Sequence, residues 1–225
     1  MIETKNLQKS FKNGDVITQA LRGVDFKAEE GEFIAIMGRS GAGKSTLLYQ
    51  MSLLDEPTRG DVIIDSHNTH NMSADEKMRF RLVKFGYVFQ DYALLPELTA
   101  LENVALPLLM QGRSKERAYS EATAALDRAG LGTRLGNLPS QLSGGEQQRV
   151  SIVRAVAHKP KVLFADEPTA NLDNQSSGVI MEIFQDLHKQ GQTIIMVTHE
   201  EQYAKLAERI VHLDDGKIVS TKKNH

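Results

Sequence analysis

The sequence predicts an α/β fold in which a parallel sheet is covered by helices. Three continuous apolar runs carry that expectation: Phe33 to Met37, Val162 to Ala165 and Ile194 to Val197. Short uninterrupted runs of this kind are the pattern of strands buried on both faces. Helical spacing follows them. Apolar residues recur at helical intervals over Ser45 to Leu54, and Val179, Ile180, Ile183, Phe184 and Leu187 share one helical face between the second and third runs. Strands alternating with helices predict parallel pairing.

Other segments differ in pattern. Residues 1–33 and 58–88 carry short alternating stretches with turn signals, such as Arg59-Gly60-Asp61 before Val62-Ile63-Ile64, and predict an antiparallel sheet. Residues 34–57 and 159–225 supply the parallel core. Residues 91–158 are mostly helical, with Ala118, Ala122, Ala125 and Ala129 on one face of Arg117 to Ala129. Ser73 and Glu76 have the spacing of a capping box. Asp214-Asp215-Gly216, between two apolar stretches, predicts a hairpin turn. The expectation is one domain over residues 1–225, built from these three kinds of segment.

Composition excludes several classes. The chain has 225 residues, of which 25% are charged and 40% hydrophobic, enough for a substantial core and unlike a disordered chain. With 27 basic and 29 acidic residues the net charge is −2, so no nucleic-acid partner is expected. The absence of cysteine rules out a disulfide scaffold and a thiolate zinc site. The greasiest stretch, Val104 to Met110, is broken by Pro107 and falls far short of the roughly 18 apolar residues of a membrane span. Met1 to Lys5 lacks the basic start and apolar run of a signal peptide. The expected place is the cytoplasm, with any membrane attachment supplied by another subunit.

Gly38-Arg39-Ser40-Gly41-Ala42-Gly43-Lys44-Ser45 matches the pattern G-x-x-x-x-G-K-[ST] between a strand and a helix. Glycines let successive amide groups curve around an anion, and the helix start adds its positive end. Lys44 is expected to reach the β- and γ-phosphates of a nucleotide, the Ser45 hydroxyl to ligate Mg²⁺, and Thr46 to add a hydroxyl near the α-phosphate. The loop alone admits ATP or GTP. Asp166 and Glu167 end the second apolar run, at the carboxyl end of a parallel strand where ligands bind. Asp166 is expected to hold Mg²⁺, and Glu167 to polarise the water that attacks the γ-phosphate. His199 follows the third run and can reach the γ-phosphate from there. The remaining histidines, including His67 and His70, read as structural or solvated.

Leu142-Ser143-Gly144-Gly145-Glu146-Gln147-Gln148-Arg149 precedes a helix expected over Gln147 to Ala157 and offers a second anion site. With it, the chain resembles the nucleotide-binding subunits of ABC transporters over nearly its whole length. The resemblance rests on the phosphate loop, Gln90 after Tyr87-Val88-Phe89, the Leu-Ser-Gly-Gly-Glu signature, Asp166-Glu167, Asn171-Leu172-Asp173 and His199, in the family's order and spacing. It implies a P-loop NTPase (RecA-like) parallel-sheet core, an N-terminal antiparallel β subdomain and an inserted helical signature subdomain.

The resemblance further implies an ATP hydrolase that dimerises head to tail with a second copy of itself. Each ATP, with Mg²⁺, lies between Gly38–Thr46 of one copy and Ser143, Gly144, Gly145 and Glu146 of the other. Gln90 contacts Mg²⁺ and the attacking water and senses an integral-membrane permease docked near it and the helical subdomain. Asp173 links the two sites, and Phe11 stacks on adenine where the family commonly has tyrosine. The longer first turn from Asn13 to Leu21, with Asn103-Val104-Ala105-Leu106-Pro107-Leu108, resembles the branch of lipoprotein-releasing, macrolide-exporting and antimicrobial-peptide-exporting ATPases. The alternatives are a cell-division ATPase driving an extracytoplasmic hydrolase and a soluble ABC ATPase outside transport.

Overall fold

The three apolar runs become strands of five residues, and every residue in them is buried. The computed structural model describes residues 1–224; His225, the last residue of the expected core segment 159–225, lies outside them. In chain order the strands and α-helices are β1 (Ile2–Asn13), β2 (Val16–Ala28), β3 (Phe33–Met37), α1 (Lys44–Met51), β4 (Arg59–Ile64), β5 (His67–Asn68), α2 (Ala74–Lys84) and β6 (Phe85–Val88). There follow α3 (Ala100–Met110), α4 (Lys115–Arg128), α5 (Gly144–Val156), β7 (Val162–Asp166), α6 (Asn174–Lys189), β8 (Thr193–Val197), α7 (Glu201–Ala204), β9 (Arg209–Asp214) and β10 (Lys217–Lys223). Residues 1–79 with the chain from Leu187 onward form one compact unit, and residues 80–186 another.

In the first unit, β1 pairs antiparallel with β2 and β4, and β4 with β5. The long first turn is a two-residue turn, Gly14-Asp15, at the tip of extended strands, since Asn13 already faces Val16. Gly60 is not in a turn. It lies inside β4, where the register with β1 shifts between Lys5 and Gln8, so the glycine marks a bulge. Parallel pairing appears where expected: β3 lies between β8 and β9, with Ile36 opposite Val197 on one side and Val211 on the other. β9 and β10 close through Asp215-Gly216, both at positive φ, as a tight Asp-Gly hairpin requires. Ser73 and Glu76 form the expected reciprocal cap, with Glu76 Oε2 accepting from Ser73 N at 2.8 Å and Ser73 Oγ from Glu76 N at 3.3 Å.

The second unit holds one strand that departs from expectation. Phe85–Val88 was read as part of an antiparallel sheet, but β6 pairs in parallel with β7. Its run Phe-Gly-Tyr-Val has no alternation, and a side chain at Gly86 would collide with the Ala155 carbonyl of α5, so the strand is packed from both faces. The helical core joins Val104 and Leu108 of α3, Ala118, Ala122 and Leu126 of α4, and Val150 and Val153 of α5. On α6 the buried stripe is Ser177, Ile180, Met181 and Phe184, whereas Val179 faces outward. Among the described residues no helix is long and apolar enough to cross a membrane.

Asn103 is fully buried on α3 and bonded throughout. Its Oδ1 accepts from Leu95 N at 2.8 Å, and its Nδ2 donates to the carbonyls of Leu95, Leu98 and Thr99. It fixes the segment from Leu95 to the Thr99 cap. Replacing Asn103 with Ala strands those backbone groups, so a loss of about 2–3 kcal/mol of unfolding free energy is expected, read as a lower urea midpoint.

Candidate functional site

In the first unit, β3 ends and the chain bends through Gly38–Gly43 into α1. Gly43 is the helix N-cap in a left-handed conformation (φ 98°), and a Cβ there would sit 2.5 Å from the Ala20 carbonyl oxygen. A Cβ at Gly38 would sit 2.1 Å from the Leu213 carbonyl oxygen. Both glycines are therefore demanded by packing as well as by loop shape. The first turn of α1 carries no acidic side chain, so nothing within that turn neutralises the positive helix end. Lys44 is buried and folds back over the loop, its Nζ donating to the carbonyls of Gly38 and Arg39, each at 3.0 Å. A glycine-rich bend, a helix start and a cation thus fall on one segment, which suits a phosphate chain.

His199 emerges at the same end of the same strands. Thr198 N donates to the Ile36 carbonyl at 3.2 Å, so the exit of β8 lies beside the exit of β3. Phe11 is 47% exposed, which removes a core role and leaves its ring open to a planar ligand. Lys9 sits over that ring at 5.2 Å and is anchored on Asp55 Oδ1 and the Glu56 carbonyl, each at 2.7 Å.

In the second unit, β7 delivers buried Asp166 and then Glu167, a non-glycine residue at φ 45°. Such left-handed geometry is costly and clusters at functional sites. The Gln90 carbonyl accepts from Asn171 Nδ2 at 2.9 Å, so Gln90 and the Asn171–Asp173 segment are joined. Tyr92 and Ala93 follow at φ 63° and 48°, and Arg154 of α5 donates to both their carbonyls. Burial lowers the Arg154 pKa.

The signature helix begins three residues before its expected start. Ser143 is its N-cap: Ser143 Oγ accepts from Glu146 N at 3.3 Å, and Glu146 Oε2 accepts from Ser143 N at 2.8 Å. This reciprocal cap draws Gly144 and Gly145 into the first turn. Their lack of side chains is used at once. A Cβ on Gly144 would lie 2.9 Å from the Tyr92 hydroxyl, and one on Gly145 2.9 Å from Ser176 Oγ. Asp173 accepts from Ser176 N at 2.8 Å and so caps α6, a local duty the sequence did not suggest. Gln148, Tyr92, Arg154 and Ser176 also escaped the sequence reading. A polar residue on the buried stripe of α5, as Gln148 is, was the available signal.

No cluster of three or more His, Cys, Asp or Glu placed to hold a metal occurs among the described residues. Ser45 in the first unit, and Gln90 and Asp166 in the second, each carry an oxygen donor of the kind Mg²⁺ takes.

A family model described as ABC transporter matches residues 21–170. The chain belongs to this family. An uncharacterized ABC transporter ATP-binding protein of Methanocaldococcus jannaschii, MJ1508, is 49% identical over 97% of this chain and 98% of its own length. The macrolide export ATP-binding/permease protein MacB of Agrobacterium fabrum is 43% identical over all of this chain, which spans 35% of that larger protein. Among solved structures, the dimeric post-hydrolysis state of the ATP-binding cassette MJ0796 bound to ADP and Pi superposes with a TM-score of 0.94 at 42% identity, covering 100% of this chain and 99% of that one. The expected fold class is that of these cassettes. The chain is an ABC transporter ATP-binding cassette, and its reaction is ATP hydrolysis.

The cap carboxylates of this cassette titrate with a definite sign. The Ser143 amide, with Arg134 beside it, holds Glu146 below the usual carboxylate pKa, and the Ser176 amide does the same for Asp173. A folded pKa below the unfolded one means stability that is present at neutral pH and lost as pH falls through the folded value. Asp173→Asn keeps the cap acceptor but not the charge. It is expected to flatten the fall in urea midpoint as pH drops below the ordinary Asp range of about 4.

Proposed function

We propose that this cassette closes head to tail on a second copy of itself around ATP, and that closure drives a membrane permease of the macrolide-exporting or lipoprotein-releasing kind. The observation that carries the reading is that one chain owns two helix starts suited to anions, Gly38–Ser45 and Ser143–Gly145. Its own nucleotide occupies the first; the second serves the ATP held by the partner copy. The dimeric relative bound to ADP and Pi supports this assembly. Transporter cassettes among the relatives favour transport over the cell-division and soluble alternatives. The permease docks near Gln90 and the helical subdomain, holding the cassette at the cytoplasmic face of the membrane, and nucleic acid has no part. In this scheme residues 1–33 and 58–88, apart from the parallel strand Phe85–Val88, supply the antiparallel subdomain, 34–57 and 159–225 the core, and 91–158 the helical subdomain.

The residues divide the work by chemistry. Phe11 stacks on adenine. The amides of Gly38, Arg39, Ser40, Gly41, Ala42, Gly43, Lys44 and Ser45 hold the phosphates with the Lys44 ammonium and the Thr46 hydroxyl. Ser45, Gln90 and Asp166 hold Mg²⁺, which neutralises phosphate charge when bound. Glu167 takes the proton of the attacking water, with Gln90 orienting that water and His199 on the γ-phosphate. Ser143, Gly144, Gly145 and Glu146 close the site in trans, and Asp173 links the two sites.

Glu167→Gln is expected to lower ATP turnover by at least about 100-fold while ATP still binds, and so to trap an ATP-dependent dimer. Size-exclusion chromatography checks this; a monomer at saturating ATP counts against the sandwich. Lys44→Ala is expected to weaken ATP binding by roughly 10–100-fold in a fluorescence titration. Ser143→Asp keeps a competent N-cap but sets a carboxylate against phosphate. Its expected outcome is unchanged ATP binding by the monomer with dimerisation and hydrolysis lost.

A further inference from the structure

We propose that Gln148 is a positioning residue for hydrolysis: its buried carboxamide holds the backbone just after Glu167 and ties that backbone to the signature helix. The proposal rests on the reading of Glu167 as the proton acceptor. Gln148 lies on α5, five residues after the Ser143 cap, and is 0% exposed. Its Nε2 donates to the Pro168 carbonyl at 2.7 Å. Its Oε1 has no hydrogen-bond partner among the described residues.

A buried amide with one orphaned oxygen is a poor choice for stability alone. Leucine or methionine would fill the same space without leaving a polar atom bare. What glutamine adds is one N–H···O bond, made to the Pro168 carbonyl just after Glu167.

That carbonyl matters because the turn there is strained. Glu167 sits at φ 45°, where a side chain crowds its own backbone. Pro168 has no N–H with which to anchor the turn. Ala170 N donates to the Glu167 carbonyl at 3.1 Å from within the turn, and Gln148 reaches the Pro168 carbonyl from outside it. The outside bond comes from a helix whose first turn contains Ser143, Gly144 and Gly145. Gln148 is about 7 Å along the axis from that cap at 1.5 Å per residue, so a shift of the helix start is carried to the Glu167 turn through a short rigid segment. Stability is given up at Gln148 for geometry at Glu167, a trade expected at functional positions.

The test uses the full-length cassette with Gln148→Met and Gln148→Leu, and Glu167→Gln beside them. Turnover, the KM for ATP, fluorescent-nucleotide affinity and Tm are measured for each. For Gln148→Met, kcat is expected to fall about tenfold or more while KM and nucleotide affinity stay within about twofold and Tm is unchanged or higher. Wild-type kcat overturns the proposal, as does a kcat loss matched by loss of Tm or of nucleotide affinity. Gln148→Leu repeats the measurement with a second apolar shape, and failure of both to fold assigns Gln148 to the core and also overturns it. Turnover retained in Glu167→Gln sinks the reading of Glu167 itself. A dead Glu167→Gln with normal Gln148 variants sinks only the role given to Gln148.

Discussion

The first unit depends on contact between backbones where side chains would ordinarily stand. Gly38 meets the Leu213 carbonyl, while Gly43 and Gly216 both meet the Ala20 carbonyl. Two hydrogen bonds complete the joint: Gly216 N donates to the Ala42 carbonyl at 3.0 Å, and Arg22 N to the Gly216 carbonyl at 2.9 Å. The Gly38–Gly43 loop is therefore seated on β2 and on the β9–β10 turn largely through main chain, with the Arg22–Asp215 ion pair beside it. Pairing makes this possible. β9 runs beside β3 with Met37 opposite His212, which brings the hairpin turn to the loop. A side chain adds to this joint: Lys44 Nζ donates to the Gly38 and Arg39 carbonyls, each at 3.0 Å.

The second unit solves a different problem with one helix. α5 starts at Ser143 under a reciprocal cap, packs Gly144 and Gly145 against Tyr92 and Ser176, and sends Gln148 to Pro168 and Arg154 to the carbonyls of Tyr92 and Ala93. Segments far apart in sequence, following Gln90, Asp166 and Asn171, are thereby referred to a single rigid element. Reciprocal capping fixes where that element begins, and the small residues after it allow close approach.

Legibility in the sequence followed the range of the interaction. Phe33–Met37, the glycine bend into α1, the Ser73–Glu76 cap and the Asp215-Gly216 turn are local, so their residue types could be read in place. Gly60 misled because glycine marks bulges as well as turns, and only the register with β1 distinguishes them. Phe85–Val88 misled because four residues are too few for alternation to separate parallel from antiparallel pairing. The start of α5 was missed because Gly144-Gly145 looks like a loop until Ser143 and Glu146 are seen to bond reciprocally. Gln148 and Arg154 act on carbonyls 20 and 61 residues away, which no local pattern records.

Strain and restraint coincide in this cassette. Left-handed non-glycine residues occur at Tyr92, Ala93 and Glu167, just beyond Gln90 and Asp166. Such conformations persist only where their surroundings over-determine them. In both places part of the surrounding restraint is a long polar side chain from α5 bonded to a backbone carbonyl: Arg154 at the first, Gln148 at the second. Gln148 is buried and Arg154 half-buried, and each gives donors to the turn it meets. The geometry of the residues that follow Gln90 and Asp166 is thus a property of the signature helix as much as of the turns themselves.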